Sequence, residues 1–140
     1  MSRLRLLALT ALVLLSGCQR ADFSAISTPP PDREALLDDS DKDSPTMRLS
    51  RGVALAFSCV YKNKPCEGAS ARVDGSGRIQ VMRTYVDQLS QSDYYDGYDS
   101  AGSKPLTSFV VVGMAEGKAT LTVSVEDHDY DFDVAVVASP

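Results

Sequence analysis

His128 is the only histidine of the 140-residue chain. It stands among Glu126, Asp127 and Asp129 with serines nearby, so Ser-His-Asp hydrolysis is the first chemistry to weigh. That chemistry needs a base bonded to one chosen serine, an acid behind the base and donors for an oxyanion. Nothing in the pattern selects a nucleophile, a nucleophile elbow or such a hole. Two carboxylates can also do glycosidic work, but only at a fixed separation in space that spacing along a chain does not set. The remaining acidic groups invite a metal reading. Asp39-Ser40-Asp41-Lys42-Asp43 opens like a calcium loop, yet Ser44 stands where that loop needs Gly, Pro45 follows, and Ser50 replaces the bidentate Glu. Asp127, Asp129, Asp131 and Asp133 share one strand face, but neighbours two apart on a strand lie roughly 6 to 7 Å from one another. One ion with ligands at about 2.3 to 2.6 Å cannot readily use consecutive members. They read as a solvated face that discourages edge-to-edge pairing. The chain is therefore expected to have no catalytic residues, no metal ligands and no cofactor.

Cysteine and tyrosine carry the remaining chemistry. The three cysteines are Cys18, Cys59 and Cys66. The segment Ser92-Asp93-Tyr94-Tyr95-Asp96-Gly97-Tyr98-Asp99 lies in a connection running from Asp87 to Pro105. Connections beyond about 12 to 15 residues are uncommon in compact domains and tend to be functional or disordered. Tyr94, Tyr95 and Tyr98 are candidate partner-binding residues, because tyrosine offers much contact area for two ordered torsions. The competing reading is a structural lid whose rings fold back over Phe109 to Val112.

The first residues set the address. Arg3 and Arg5 precede ten apolar or small residues from Leu6 to Leu15, and Ser16 and Gly17 precede Cys18. This is a basic n-region, a short h-region and a small-residue cleavage site. As a helix the apolar run spans about 15 Å, half of a hydrocarbon core of about 30 Å. Leu15-Ser16-Gly17-Cys18 resembles the lipobox of bacterial lipoprotein precursors. The resemblance implies that Cys18 takes a diacylglyceryl group, that residues 1–17 are removed and that the new amine is acylated. Two or three acyl chains anchor stably where one does not. Gln19, in the position after the cysteine, implies export to the outer membrane. With Cys18 lipidated, Cys59 and Cys66 have only each other in an oxidising compartment, so a disulfide is expected.

Composition bounds the rest. Losing residues 1–17 removes two of 14 basic side chains, so 12 face 19 acidic ones and the net charge falls from −5 to near −7. No basic stripe for nucleic acid remains. Residues 18–45 contain Pro29-Pro30-Pro31 and Asp38-Asp39-Ser40-Asp41-Lys42-Asp43 and few apolar side chains. They are expected to form a disordered tether of about 30 Å root-mean-square reach. Glu34-Ala35-Leu36-Leu37 could supply at most one marginal helical turn.

From residue 46 the chain alternates with period two and is punctuated by Gly, Pro, Asn, Asp and Ser. Seven strands are expected, near 46–50, 53–60, 68–73, 78–86, 106–112, 118–126 and 129–137. Seven strands in about 95 residues predict one antiparallel β-sandwich over 46–140. In the last hairpin an Asp127-His128 loop would set Val125 against Tyr130, Val123 against Phe132, Leu121 against Val134 and Ala119 against Val136. Ser124 would then face Asp131, and Thr122 would face Asp133. The alternation slips between Val81 and Tyr85, which predicts a bulge or a strand exposed to two environments. Phe109-Val110-Val111-Val112 is apolar on both faces, as in a central strand or one under a loop.

Gly117-Lys118-Ala119-Thr120-Leu121-Thr122-Val123, with Phe132-Asp133-Val134-Ala135-Val136, resembles the closing strands of bacterial immunoglobulin-like domains. The resemblance spans the last thirty residues or so and implies an Ig-like sandwich with a binding or spacer role. The chain departs from antibody domains in having no Trp and in cysteines too close in sequence to bridge two sheets. The combined expectation is a lipid-anchored, non-catalytic binding or structural module of the bacterial envelope. Its partners would be the bilayer through Cys18 and an envelope protein or glycan. The alternative is a small envelope enzyme or inhibitor using the 87–105 connection.

Overall fold

Side chains that alternate along an extended chain bury one face only if a second sheet covers it, and two stacked sheets are what the chain forms. The computed structural model describes residues 20–74, 77–86 and 106–139. In chain order the strands are β1 (Asp22–Ala25), β2 (Ala35–Asp38), β3 (Thr46–Ser50), β4 (Ala54–Tyr61) and β5 (Lys64–Pro65). They continue with β6 (Ser70–Asp74), β7 (Ile79–Val86), β8 (Leu106–Gly113), β9 (Gly117–Val125) and β10 (His128–Val137). One sheet runs β1-β4-β8-β7 with β5 also paired to β4, and the other runs β2-β3-β10-β9-β6. All seven expected strands are present within two residues of their expected bounds.

The strand order is that of an immunoglobulin-like sandwich. β1, β4, β8 and β7 correspond to A, B, E and D of one sheet, and β6, β9 and β10 to C, F and G of the other. β3 lies parallel to β10, from Thr46 opposite Asp133 to Ser50 opposite Val137. The second sheet is therefore mixed, which corrects the purely antiparallel expectation.

The core is built from both inner faces. Leu55, Phe57 and Cys59 of β4, with Phe109 and Val111 of β8, meet Leu49 of β3, Leu121 and Val123 of β9, and Phe132 of β10, and all of these are fully buried. All four phenylalanines of the chain join one cluster at the centre. Phe57 stacks on Phe109 with centroids 5.5 Å apart, and Phe23 meets Phe132 edge-on at 4.9 Å. At one end the sheets come close at Gly113. A β-carbon there would lie 2.9 Å from the Ser50 carbonyl and 3.1 Å from Val136.

Several expectations need correction. The segment expected as a tether is largely part of the sandwich, because β1 pairs with β4 and β2 with β3. Pro29-Pro30-Pro31 lies in the crossover between the two sheets. Arg33 N–H bonds the Pro30 carbonyl at 3.2 Å and Asp32 has φ 58°, the pattern of a type II turn with Pro31 leading. Glu34 to Leu37 gives no helical turn; Ala35 to Leu37 are strand.

The last hairpin keeps its faces but shifts its register by two. Tyr130 opposes Val123, Phe132 opposes Leu121 and Val134 opposes Ala119, so Glu126-Asp127 is the turn, with Glu126 at φ 52°. A slip of two residues leaves the apolar face apolar, so alternation alone cannot choose between them. In the observed register Ser124 Oγ donates to Asp129 and Thr122 Oγ1 to Asp131, both at 2.6 Å. β10 also lies in the interior of its sheet, so Asp129, Asp131 and Asp133 do not guard an edge. Lastly, β7 pairs with β8 without interruption from Ile79 to Val86. It contains no bulge and is instead an edge strand, with Met82 half exposed. Its neighbour β8 is the central strand that the apolar run at 109–112 suggested.

Candidate functional site at the N-terminal end

Register places several segments at one end of the sandwich. Asp22 opposes Val60 near the end of β4, Ser108 opposes Ser58, and Val86 opposes Leu106. The entry of the chain, the β4–β5 turn, the β9–β10 turn and the strand ends bounding the 87–105 connection thus share this end. The turns at 51–52, 77–78 and 114–117 and the end of β10 lie at the other, joined by bonds such as Gly52 N–H to Gly113 and Arg51 N–H to Val137.

At the N-terminal end the chain is held from its first described residues. Ala21 is fully buried and its N–H donates to the Tyr130 hydroxyl at 3.0 Å. Phe23 is 4% exposed and touches Phe57, Tyr130 and Phe132 with its ring. Arg20 lays its guanidinium over the Tyr130 ring, 5.1 Å from the centroid. It also lies 3.8 Å from Asp39, too far for a hydrogen bond but close enough for attraction. Asp39 has an 8% exposed side chain, and its Oδ2 accepts from Lys42 Nζ at 2.6 Å and from Phe23 N–H at 3.4 Å. That hydrogen bond, above all other causes, raises the Lys42 amine beyond its ordinary value. Asp39 therefore clips the loop after β2 onto β1.

The calcium-like opening is engaged in the same way. Asp38 accepts from both the N–H and the hydroxyl of Ser40, which lowers its carboxyl below the usual range, and Asp41 accepts from Asp43 N–H. These are turn-forming bonds within the segment. His128 is exposed where β10 begins and opposes Val125. Its sequence neighbour Asp129 accepts from Ser124 Oγ at 2.6 Å and from Arg72 at 3.0 Å. Both partners hold the Asp129 carboxyl below its usual value, Ser124 most.

Cys59 and Cys66 form a disulfide with Cα atoms 5.5 Å apart. It closes the β4–β5 hairpin, whose Lys62-Asn63 turn has φ above 50° at both residues, as a two-residue hairpin of the primed kind requires. A shallow depression beside it is lined by Tyr61, Lys62, Lys64, Glu67 and Glu126. Lys62 sits over the Tyr61 ring at 4.5 Å and 3.4 Å from Glu126. Sequence reasoning did not find this depression, since it arises only when the β4–β5 and β9–β10 turns come side by side. Cys18, Tyr94, Tyr95 and Tyr98 lie outside the described residues.

No family model matches the chain, and no curated protein does. Among solved structures it is similar to domains 4 and 5 of the S-layer protein SbsC, at 18% identity with a TM-score of 0.46, covering 79% of this chain and 54% of that one. It is similar to the longer S-layer fragment rSbsC(31-844) at 19% identity with a TM-score of 0.48, covering 79% of this chain and 13% of that one. For amebosin the identity is 18% and the TM-score 0.37, with 66% of this chain and 88% of that one covered. The chain thus spans about half or less of the S-layer chains it matches.

Proposed function

We propose that this chain is a bacterial lipoprotein precursor, cut before Cys18, whose Ig-like domain is a non-catalytic binding or structural module of the cell envelope. The observation that carries the reading is the Cys59–Cys66 disulfide. It pairs two of the three cysteines and leaves Cys18, at the end of the lipobox, as the one thiol for acylation. A disulfide also suits an oxidising compartment outside the cytoplasm. Gln19 directs the anchored protein to the outer membrane. Hydroxyl and carboxylate groups around His128 pair with one another in ways that hold β9 to β10, which supports a structural role for them.

Metabolic labelling with a palmitate analogue tests the anchor. The wild type takes the label and partitions into detergent, whereas Cys18→Ser loses the label and is released or accumulates as uncleaved precursor. A wild type without label, recovered in the aqueous phase, would reject the reading.

A further inference from the structure

The expected tether gave the domain about 30 Å of freedom above the lipid, but the packing of the first described residues removes it. We infer that the lipidated protein has no free leash and that its sandwich stands end-on on the bilayer, with the β9–β10 turn toward the headgroups and the β8–β9 turn away from them. The inference rests on the anchor proposed above. Only Gln19 and Arg20 separate Cys18 from Ala21, whose side chain is fully buried and whose N–H is bonded to Tyr130. Three residue steps reach about 11 Å at full extension. Arg20 is itself drawn back over Tyr130 and toward Asp39, so the free length is shorter still. Phe23, wedged among Phe57, Tyr130 and Phe132, keeps β1 from peeling away to lengthen it.

Orientation follows from register. Among the described residues, those that leave the sandwich beside the chain entry are the 39–45 loop, the Lys62-Asn63 turn and the Glu126-Asp127 turn. Opposite them, beyond the nine residues of β9, lie Ala115 and Glu116, about 30 Å further from the lipid at the usual rise per residue. Charge does not create this seat. Among the described residues at the lipid-facing end, Asp39, Asp41, Asp43, Glu67, Glu126 and Asp127 outnumber Arg20, Lys42, Lys62 and Lys64, so an anionic leaflet repels them. Among the described residues, the covalent anchor rather than charge holds the domain there.

The test uses the mature lipidated protein in vesicles whose headgroups carry a quencher. A dye is attached in turn to Asp127→Cys and to Glu116→Cys, both exposed turn positions. Quenching should be several-fold stronger at position 127 than at 116. A flexible insertion of about 20 residues between Gln19 and Arg20 should abolish the difference by restoring a leash. Cys18→Ser protein, added to the same vesicles, should show no quenching at either position. Lipidated protein with equal quenching at both positions, or an insertion without effect, would overturn the seating while leaving the anchor intact. Failure of the wild type to take up lipid or join the vesicles would overturn both.

Discussion

Two carboxylates in this protein, Asp38 and Asp129, owe their lowered pKa chiefly to a hydroxyl partner. Ser40 holds Asp38 and Ser124 holds Asp129 below their ordinary value of 3.8, while Asp39 raises Lys42 above its ordinary 10.5. The signs fix a window. A lowered carboxyl stabilises the fold above 3.8, and that contribution disappears as pH falls through its lower folded value. The raised amine stabilises below 10.5, and its contribution disappears as pH rises through its higher folded value. Melting temperature should therefore be flat between these limits and fall on either side. Ser124→Ala should flatten part of the acid limb and leave the alkaline limb unchanged; an acid limb identical to wild type would show that the Ser124–Asp129 bond contributes nothing. The aspartate row was visible in the sequence as a polar face, but its partners were not. A hydroxyl opposite a carboxylate depends on a register that alternation leaves ambiguous by two residues.

At the scale of elements, legibility followed length. β9 and β10 bury one face over eight residues or more, so their pattern is strong. β1 and β2 have four residues each, and two or three apolar side chains in a stretch rich in Asp and Pro do not distinguish a strand from coil. Their stability comes from the sheets that they join, through Phe23 and Ala35, rather than from anything local. The hairpin of β4 and β5 was half legible: the sequence offered the cysteine pair, while the primed turn at Lys62-Asn63 needed the backbone. Closing this eight-residue loop should stabilise by about 2.5 kcal/mol on the chain-entropy model. Cys59→Ala/Cys66→Ala should lower the unfolding free energy by at least that amount, since Cys59 is fully buried and its sulfur leaves a cavity. Urea melts of the double variant measure the loss, and alkylation of the denatured, unreduced wild type should find neither thiol free. Two alkylated thiols would place both residues outside any disulfide.

For the whole molecule the question is where the domain begins. Composition put the boundary at residue 46, because Pro and Asp dominate the stretch before it and such segments rarely bury enough to fold. The sheets put it at Ala21, since the first strand supplies an aromatic ring to the centre of the core. These two boundaries predict opposite outcomes for one change. If residues 21–26 were a tether, replacing them with Gly and Ser would leave stability untouched. As β1, they fill a site lined by Phe57, Tyr130 and Phe132, and losing Phe23 alone should cost about 3 to 5 kcal/mol by the usual penalty for emptying an aromatic site. Loss of the pairing with β4 and of the Ala21 to Tyr130 bond adds to that cost. Small domains hold only about 5 to 15 kcal/mol in total, so the replaced protein should be partly unfolded at room temperature. The comparison is made in the Cys18→Ser background, free of lipid, by urea unfolding and by limited proteolysis. The parent should resist cleavage up to Arg20, and the variant should be digested within the sandwich. An unchanged urea midpoint would return the boundary to residue 46, restore the leash and withdraw the end-on seat along with it.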